Sequence, residues 1–177
     1  CFGTFFPGSF SFPVPGDEVI LLQPSYVAYT PGVALAGGKV VNIELKEDNE
    51  FKLTPELLEA AITPKTKAIL LNYPSNPTGG FMTREDYEKI VSIIKKHEII
   101  VITDEIYAEL SYEQKFCSIA AFDEIKDQVI LVSGYSKAYA MTGWRLGYVL
   151  ANEVLTKAMN KIHQYVIMSA PTGAQYG

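Results

Sequence analysis

The chain has 177 residues and a net charge of -5, with 48% apolar and 20% charged residues. This composition is typical of a soluble globular protein, and the mild acidity without a basic run argues against nucleic acid as a partner. No apolar run approaches the roughly 18 residues that a membrane span requires, so we expect no membrane partner. The two cysteines, Cys1 and Cys117, show neither metal-ligand spacing nor a disulfide framework. We therefore expect no metal site and a cytoplasmic protein.

Residues 1–16, CFGTFFPGSFSFPVPG, differ in character from the rest of the chain. They hold five phenylalanines among prolines and glycines, with no charge and no helical or strand periodicity. We expect them to form a poorly ordered tail beside an ordered region over 17–177. The chain begins at Cys1 and stops at Gly177 without a closing element, so we also expect a fragment of a longer protein.

Short apolar runs that alternate with capped or amphipathic segments predict strands and helices in alternation. In chain order these are a strand at Glu18–Gln23, a helix at Tyr26–Leu35, a strand at Lys39–Leu45, a helix capped by Thr54, a strand at Lys67–Asn72, a helix capped by Thr83, strands at Ile99–Thr103, Val129–Val132 and Leu146–Ala151, and a helix from about Asn152 to Met168. Continuous β-branched runs separated by helices indicate an α/β fold, with a mostly parallel sheet sandwiched by helices. In such sheets, ligands bind beyond the carboxyl ends of the strands.

Three polar segments follow predicted strands: NYPSNPTGG (Asn72–Gly80), DEIYAEL (Asp104–Leu110) and SGYSKAYAMTGWR (Ser133–Arg145). Each alone has a simple structural interpretation, as a turn, a helix cap or an exposed charge. All three occur in order at strand ends, which predicts one shared ligand site.

Together with PSY (Pro24–Tyr26), these segments resemble the class I/II aminotransferases among the fold-type I pyridoxal-phosphate enzymes. The similarity is greatest to the branch with many prokaryotic aspartate and aromatic aminotransferases, and it extends from about Pro15 to Gly177. It implies that 17–177 is an incomplete copy of the large, cofactor-binding domain, with pyridoxal 5'-phosphate as the cofactor.

The resemblance implies a catalytic role for three of the matching residues. Lys137 would form the Schiff base with the cofactor and then carry a proton between substrate and cofactor; desolvation and few nearby charges favour the neutral amine that this needs. Asp104 would pair with the pyridine nitrogen and keep it protonated. Tyr107, together with Asn76, would hydrogen-bond the phenolic oxygen of the cofactor.

The resemblance also implies phosphate and ring contacts. Arg145 would clamp the phosphate with its guanidinium fork, and Ser136 and Ser133 would donate to the same group. Tyr26 would stack on the pyridine ring. Some relatives place a phosphate-binding serine three residues before the lysine, where this chain has Gly134.

By the same resemblance, the parent protein would be a homodimer that moves an amino group between an L-amino acid and a 2-oxo acid, with Asn76 and Tyr26 among the substrate-binding residues. The family's upstream phosphate loop and C-terminal domain are not recognisable in the chain, so we expect it to be weakly active or inactive. Two alternatives remain open: a pyridoxal-phosphate lyase of the same fold, such as a carbon–sulfur lyase, and a non-catalytic truncated domain.

Overall fold

The computed structural model describes residues 15–176, so nearly all of the predicted tail over 1–16 lies outside the described residues. The strands are β1 (Glu18–Gln23), β2 (Lys39–Glu44), β3 (Thr66–Asn72), β4 (Ile100–Asp104), β5 (Val129–Gly134) and β6 (Gly147–Leu150). The α-helices are α1 (Tyr29–Leu35), α2 (Pro55–Ala61), α3 (Arg84–Lys96), α4 (Glu153–Val166) and α5 (Thr172–Tyr176). Between β4 and β5 the chain forms only short 3-10 segments, at Ala108–Leu110, Ile119–Ala121 and Asp123–Gln128.

The strands form one six-stranded sheet in the order β2-β1-β3-β4-β5-β6. All neighbouring strands are parallel except β5 and β6, which pair antiparallel. The chain moves from β1 to β2 on one side and then returns across β1 to β3. This reversal of direction opens a crevice at the carboxyl ends of β1 and β3.

Helices cover both faces of the sheet, as right-handed crossovers require when the chain reverses direction. Leu58 of α2 and Ile90 of α3 belong to the apolar core on one face, and both are fully buried. Val33 of α1 and Met159 of α4 belong to the core on the other face. The predicted α/β sandwich is therefore confirmed.

Most predicted elements are present, with shifts at their ends. The first helix begins at Tyr29, three residues later than predicted, which leaves Tyr26 outside the helix. Pro31 then falls in the first turn of α1, where its missing N–H removes no intrahelical hydrogen bond. At the start of α3, Thr83 forms a capping box: its hydroxyl accepts from the backbone N–H of Asp86, and the Asp86 carboxylate accepts from the backbone N–H of Thr83.

Two strand ends differ from prediction in a way that bears on the site. Asp104 is the last residue of β4 and pairs with Val132, although the prediction ended that strand one residue earlier. Strand β5 continues to Gly134 because its last residues pair with β6. Across residues 15–176, none of the helices has the length and apolar character needed to cross a membrane.

Candidate active site

A cleft of about 250 Å³ lies at the carboxyl edge of the sheet. Every residue that the sequence predicted for cofactor or substrate binding lines it, namely Tyr26, Asn76, Asp104, Tyr107, Ser133, Ser136, Lys137 and Arg145. These residues come from the carboxyl ends of β4 and β5 and from the segments that follow β1, β3, β4 and β5. The parallel strands end at one edge and so bring distant parts of the chain together.

Asp104 lies at the buried end of the cleft and is only 4% exposed. Its Oδ2 accepts a hydrogen bond of 2.8 Å from the hydroxyl of Tyr29, and its Oδ1 accepts one of 3.2 Å from the backbone N–H of Ile106. Burial raises the pKa of Asp104 to about 6, although these two hydrogen bonds favour the ionised form. The site therefore holds a poorly solvated carboxylate, for which a cationic or N–H-bearing ligand would be a favourable partner.

Tyr29 is a site residue that the sequence interpretation did not identify. Its side chain is 2% exposed, and burial and the charge of Asp104 both raise its pKa, which keeps the hydroxyl protonated as a donor. The Tyr29 ring also meets the Tyr26 ring edge to face, with 5.6 Å between the ring centroids. A possible signal was its spacing: Tyr29 is three residues after Tyr26, at the start of α1.

A second hydrogen-bond chain joins the segments after β3 and β4. Asn72, also missed from sequence, donates to the backbone oxygen of Asp104 at 2.9 Å and accepts from the backbone N–H of Asn76 at 2.9 Å. The amide nitrogen of Asn76 lies 3.5 Å from the hydroxyl of Tyr107. The arrangement brings the amide of Asn76 and the phenol of Tyr107 together, so both can donate to one oxygen of a ligand.

Lys137 lies at the rim of the cleft, and its Nζ is 5.7 Å from the centroid of the Tyr107 ring. The side chain is exposed among the described residues, whereas the Schiff-base role implied by the resemblance is favoured by a desolvated amine. It is positioned by the loop after β5, in which the backbone N–H of Ala140 donates to the oxygen of Lys137. Among the cleft-lining residues that the structure describes, Lys137 is the only lysine.

Arg145 lies on the same loop and is also exposed. Its backbone adopts a left-handed conformation, with φ 55° and ψ 39°, which is uncommon for a residue with a Cβ. One guanidinium nitrogen donates to the backbone oxygen of Thr142 at 2.9 Å. Several of the five N–H donors of an arginine therefore remain for an anion.

The serines and Gly134 lie close to these cations. Ser133 donates to the backbone oxygen of Glu105 at 3.3 Å, while the backbone oxygen of Ser136 accepts from Thr142 at 2.8 Å. A Cβ on Gly134 would lie 3.0 Å from the backbone of both Leu146 and Gly147 on the paired strand segment. A serine at this position would therefore require the neighbouring backbone to shift.

The fold and the cleft together define an α/β domain with a cleft of mixed charge at its strand ends. The model of the family "Aminotransferase class I and II" matches residues 9–176. The chain therefore belongs to the class I and II aminotransferase family.

Individual relatives agree with this assignment. The chain is 44% identical to an aspartate aminotransferase of Bacillus subtilis over 163 residues, which is 91% of this chain and 42% of that protein. It is 39% identical to aromatic-amino-acid aminotransferase 2 of Thermococcus litoralis over 170 residues, 96% of this chain and 44% of the relative. The crystal structure of an aromatic aminotransferase from Pyrococcus horikoshii superposes with a TM-score of 0.94 at 39% identity, covering 99% of this chain and 47% of that one. The chain thus spans less than half the length of these relatives.

Proposed function

We propose that this chain carries the cofactor-binding residues of a pyridoxal-phosphate-dependent aminotransferase, which moves an amino group between an L-amino acid and a 2-oxo acid. The observation that carries the proposal is the meeting of an amine, a buried carboxylate and a guanidinium in one cleft, supplied by Lys137, Asp104 and Arg145. Their chemistry matches the aldehyde, the pyridine nitrogen and the phosphate of this cofactor.

The donor set of the cleft fits the cofactor at each end. Asp104, fixed by Tyr29, offers a carboxylate for a protonated pyridine nitrogen, and such a partner would relieve the desolvation that raises its pKa. Arg145 offers bidentate hydrogen bonds to the phosphate, with Ser136 as a neutral donor beside it; Ser133 would have to release the backbone oxygen of Glu105 before it could donate as well. A dianionic phosphate and a cationic ring nitrogen would thus each meet the opposite charge.

The ring and its phenolic oxygen would meet the remaining residues. Tyr26 is 41% exposed and can offer its face to an aromatic ring. The adjacent amide of Asn76 and hydroxyl of Tyr107 are suited to one phenolic oxygen. The same Asn76 and Tyr26 are our candidates for substrate contacts.

When bound, pyridoxal phosphate supplies an electron sink that stabilises negative charge at the α-carbon of the substrate. Lys137 would anchor the cofactor covalently and, once released, move the proton at the α-carbon. Asp104 would hold the pyridine nitrogen protonated, and Arg145 would hold the phosphate, so that the two residues would orient the cofactor in the cleft.

The test is a titration of the protein with pyridoxal phosphate, followed by visible absorbance. We expect a band that differs from the free cofactor in the unmodified protein and is lost in Lys137→Ala. Lys161→Ala, which removes an exposed lysine of α4 outside the cleft, is the matched control and should keep the band. The same band in Lys137→Ala, or none in the unmodified protein, would refute the cofactor assignment.

The reaction type needs a second experiment. Aspartate or an aromatic amino acid added to the loaded protein should yield pyridoxamine phosphate and the matching 2-oxo acid. Ammonia release without pyridoxamine phosphate would instead favour the lyase alternative. We further propose a cytoplasmic homodimer for the full-length protein, which sedimentation of that protein and its localisation with a fluorescent tag would check.

A further inference from the structure

Glu105 is a buried carboxylate that the proposed chemistry leaves without a role. It follows Asp104 directly and is 4% exposed, yet it does not line the cleft. Thr103 and Asp104 are successive residues of β4, so their side chains point to opposite faces of the sheet. Asp104 therefore faces the cleft with Tyr29, while the carboxylate of Glu105, just after the strand, lies with Thr103 on the other side of the sheet.

The carboxylate of Glu105 is held on that side by specific donors. Its Oε1 accepts hydrogen bonds of 2.8 Å from the hydroxyl of Ser118 and 3.1 Å from that of Thr103. The backbone of Ile119 also hydrogen-bonds it, and burial nevertheless raises its pKa to about 7. The titratable neighbours around it are Asp104, Tyr87 of α3 and Cys117.

The backbone of Glu105 forms hydrogen bonds with residues on the cleft side of the sheet. Its N–H donates to the oxygen of Val132 at 2.9 Å, and its oxygen accepts from the backbone N–H of Ala108 at 3.0 Å and from Ser133 at 3.3 Å. The turn between these bonds carries Tyr107. Glu105 is thus joined to β5, to the turn after β4 and to the far side of the sheet at once.

We propose that Glu105 is a positioning residue: by fixing its carboxylate to Ser118 and Thr103 on the far face of the sheet, it holds the turn that presents Asp104 and Tyr107 to the cofactor. An apolar side chain would fill the same space but would leave the buried hydroxyl of Thr103 and the half-buried hydroxyl of Ser118 without this acceptor, and it would not specify the orientation of the turn. This role rests on the proposed function, because its effect on chemistry would pass through Asp104 and Tyr107.

Two substitutions separate hydrogen bonding from packing. Glu105→Gln keeps an acceptor at nearly the same place, and Glu105→Met keeps the length of the side chain without an acceptor. We expect Glu105→Met to weaken pyridoxal-phosphate binding about tenfold, comparable to one lost hydrogen bond, and to shift the pH midpoint of the bound cofactor's absorbance. Glu105→Gln should restore most of both, and Glu109→Gln, on the exposed side of the same turn, should change neither.

A second measurement tests the stability of the turn in the absence of the cofactor. Amide hydrogen exchange over 104–108 should become about tenfold faster in Glu105→Met, while 129–132 stays protected. Ser118→Ala removes the shorter hydrogen bond to Glu105 and substitutes for Glu105→Met should that variant fail to fold. Unchanged exchange over 104–108, or unchanged cofactor affinity and pH midpoint in a folded variant, would overturn the positioning role. Failure of the unmodified protein to bind the cofactor would refute the proposed function, and the exchange result would still decide whether Glu105 holds the turn.

Discussion

Replacing Asp104 by asparagine is expected to stabilise the cofactor-free protein above pH 6. The carboxyl group is 4% exposed, and burial raises its pKa from 3.8 to about 6. The folded protein binds this proton more tightly than the unfolded chain does. Asp104 therefore makes its full favourable contribution to the free energy of unfolding below pH 4. That contribution is lost as the pH rises to about 6, where the buried group must ionise.

The structure sets the size of the effect. The difference of about two pH units between the folded and unfolded pKa corresponds to about 3 kcal/mol. Asparagine has one acceptor oxygen where Asp104 uses two, for Tyr29 and for Ile106, so one hydrogen bond of about 1 kcal/mol is lost. The variant should therefore be about 2 kcal/mol more stable at pH 8 and about 1 kcal/mol less stable at pH 4.

Urea unfolding of both proteins between pH 4 and pH 8 measures this difference directly. Asp48→Asn, which changes an exposed carboxylate, is the control and should show no such crossing. An Asp104→Asn variant that is less stable than the unmodified protein at pH 8 would show that ionised Asp104 is not destabilised by burial. That result would remove the physical argument for a cationic cofactor group beside Asp104.

Three further substitutions test separate parts of the structure. Tyr29→Phe removes the 2.8 Å hydrogen bond to Asp104 and should lower the free energy of unfolding at pH 8 by about 1 kcal/mol. The pKa of Asp104 should rise further, because this hydrogen bond favours the ionised carboxylate. An equal loss of stability at pH 4 and pH 8 would contradict this expectation. Gly134→Ala would place a Cβ 3.0 Å from the neighbouring backbone and should destabilise the protein by about 1–3 kcal/mol. Gly173→Ala is the control, because a Cβ there meets no atom within 4 Å, and it should not destabilise the protein. Equal melting temperatures for the two variants would refute the expected clash at Gly134. Thr83→Ala breaks the capping box of α3 and should cost about 1 kcal/mol in urea unfolding, and an unchanged midpoint would exclude a role for the cap.

The cleft could be predicted from sequence because parallel strands end at one edge of the sheet. Asn76, Asp104 and Lys137 are far apart in the chain, yet each follows a recognisable apolar run, so their meeting required no knowledge of side-chain packing. Strand alternation alone could not have placed Glu105 on the opposite face, because this residue lies just beyond both the predicted and the observed end of β4.

Other features of the site depend on tertiary packing. The hydrogen bond from Tyr29 to Asp104 joins residues that are 75 positions apart, and no local sequence pattern specifies it. The exposure of Lys137 depends on which segments cover the loop after β5, and its sequence neighbours do not determine that. Helix α1 begins at Tyr29, later than predicted, because Pro31 is better accommodated in the first turn of a helix than in its interior.

We propose that Lys137 anchors pyridoxal phosphate in this cleft. Reduction of the loaded protein with borohydride, followed by peptide mass spectrometry, tests it most directly, because reduction makes the bond between the lysine and the cofactor permanent. We expect the peptide containing Lys137 to gain the mass of one pyridoxyl phosphate group, and we expect Arg145→Ala to lower the labelled fraction at limiting cofactor. Labelling spread over exposed lysines such as Lys161, with Lys137 no more modified than they are, would contradict it.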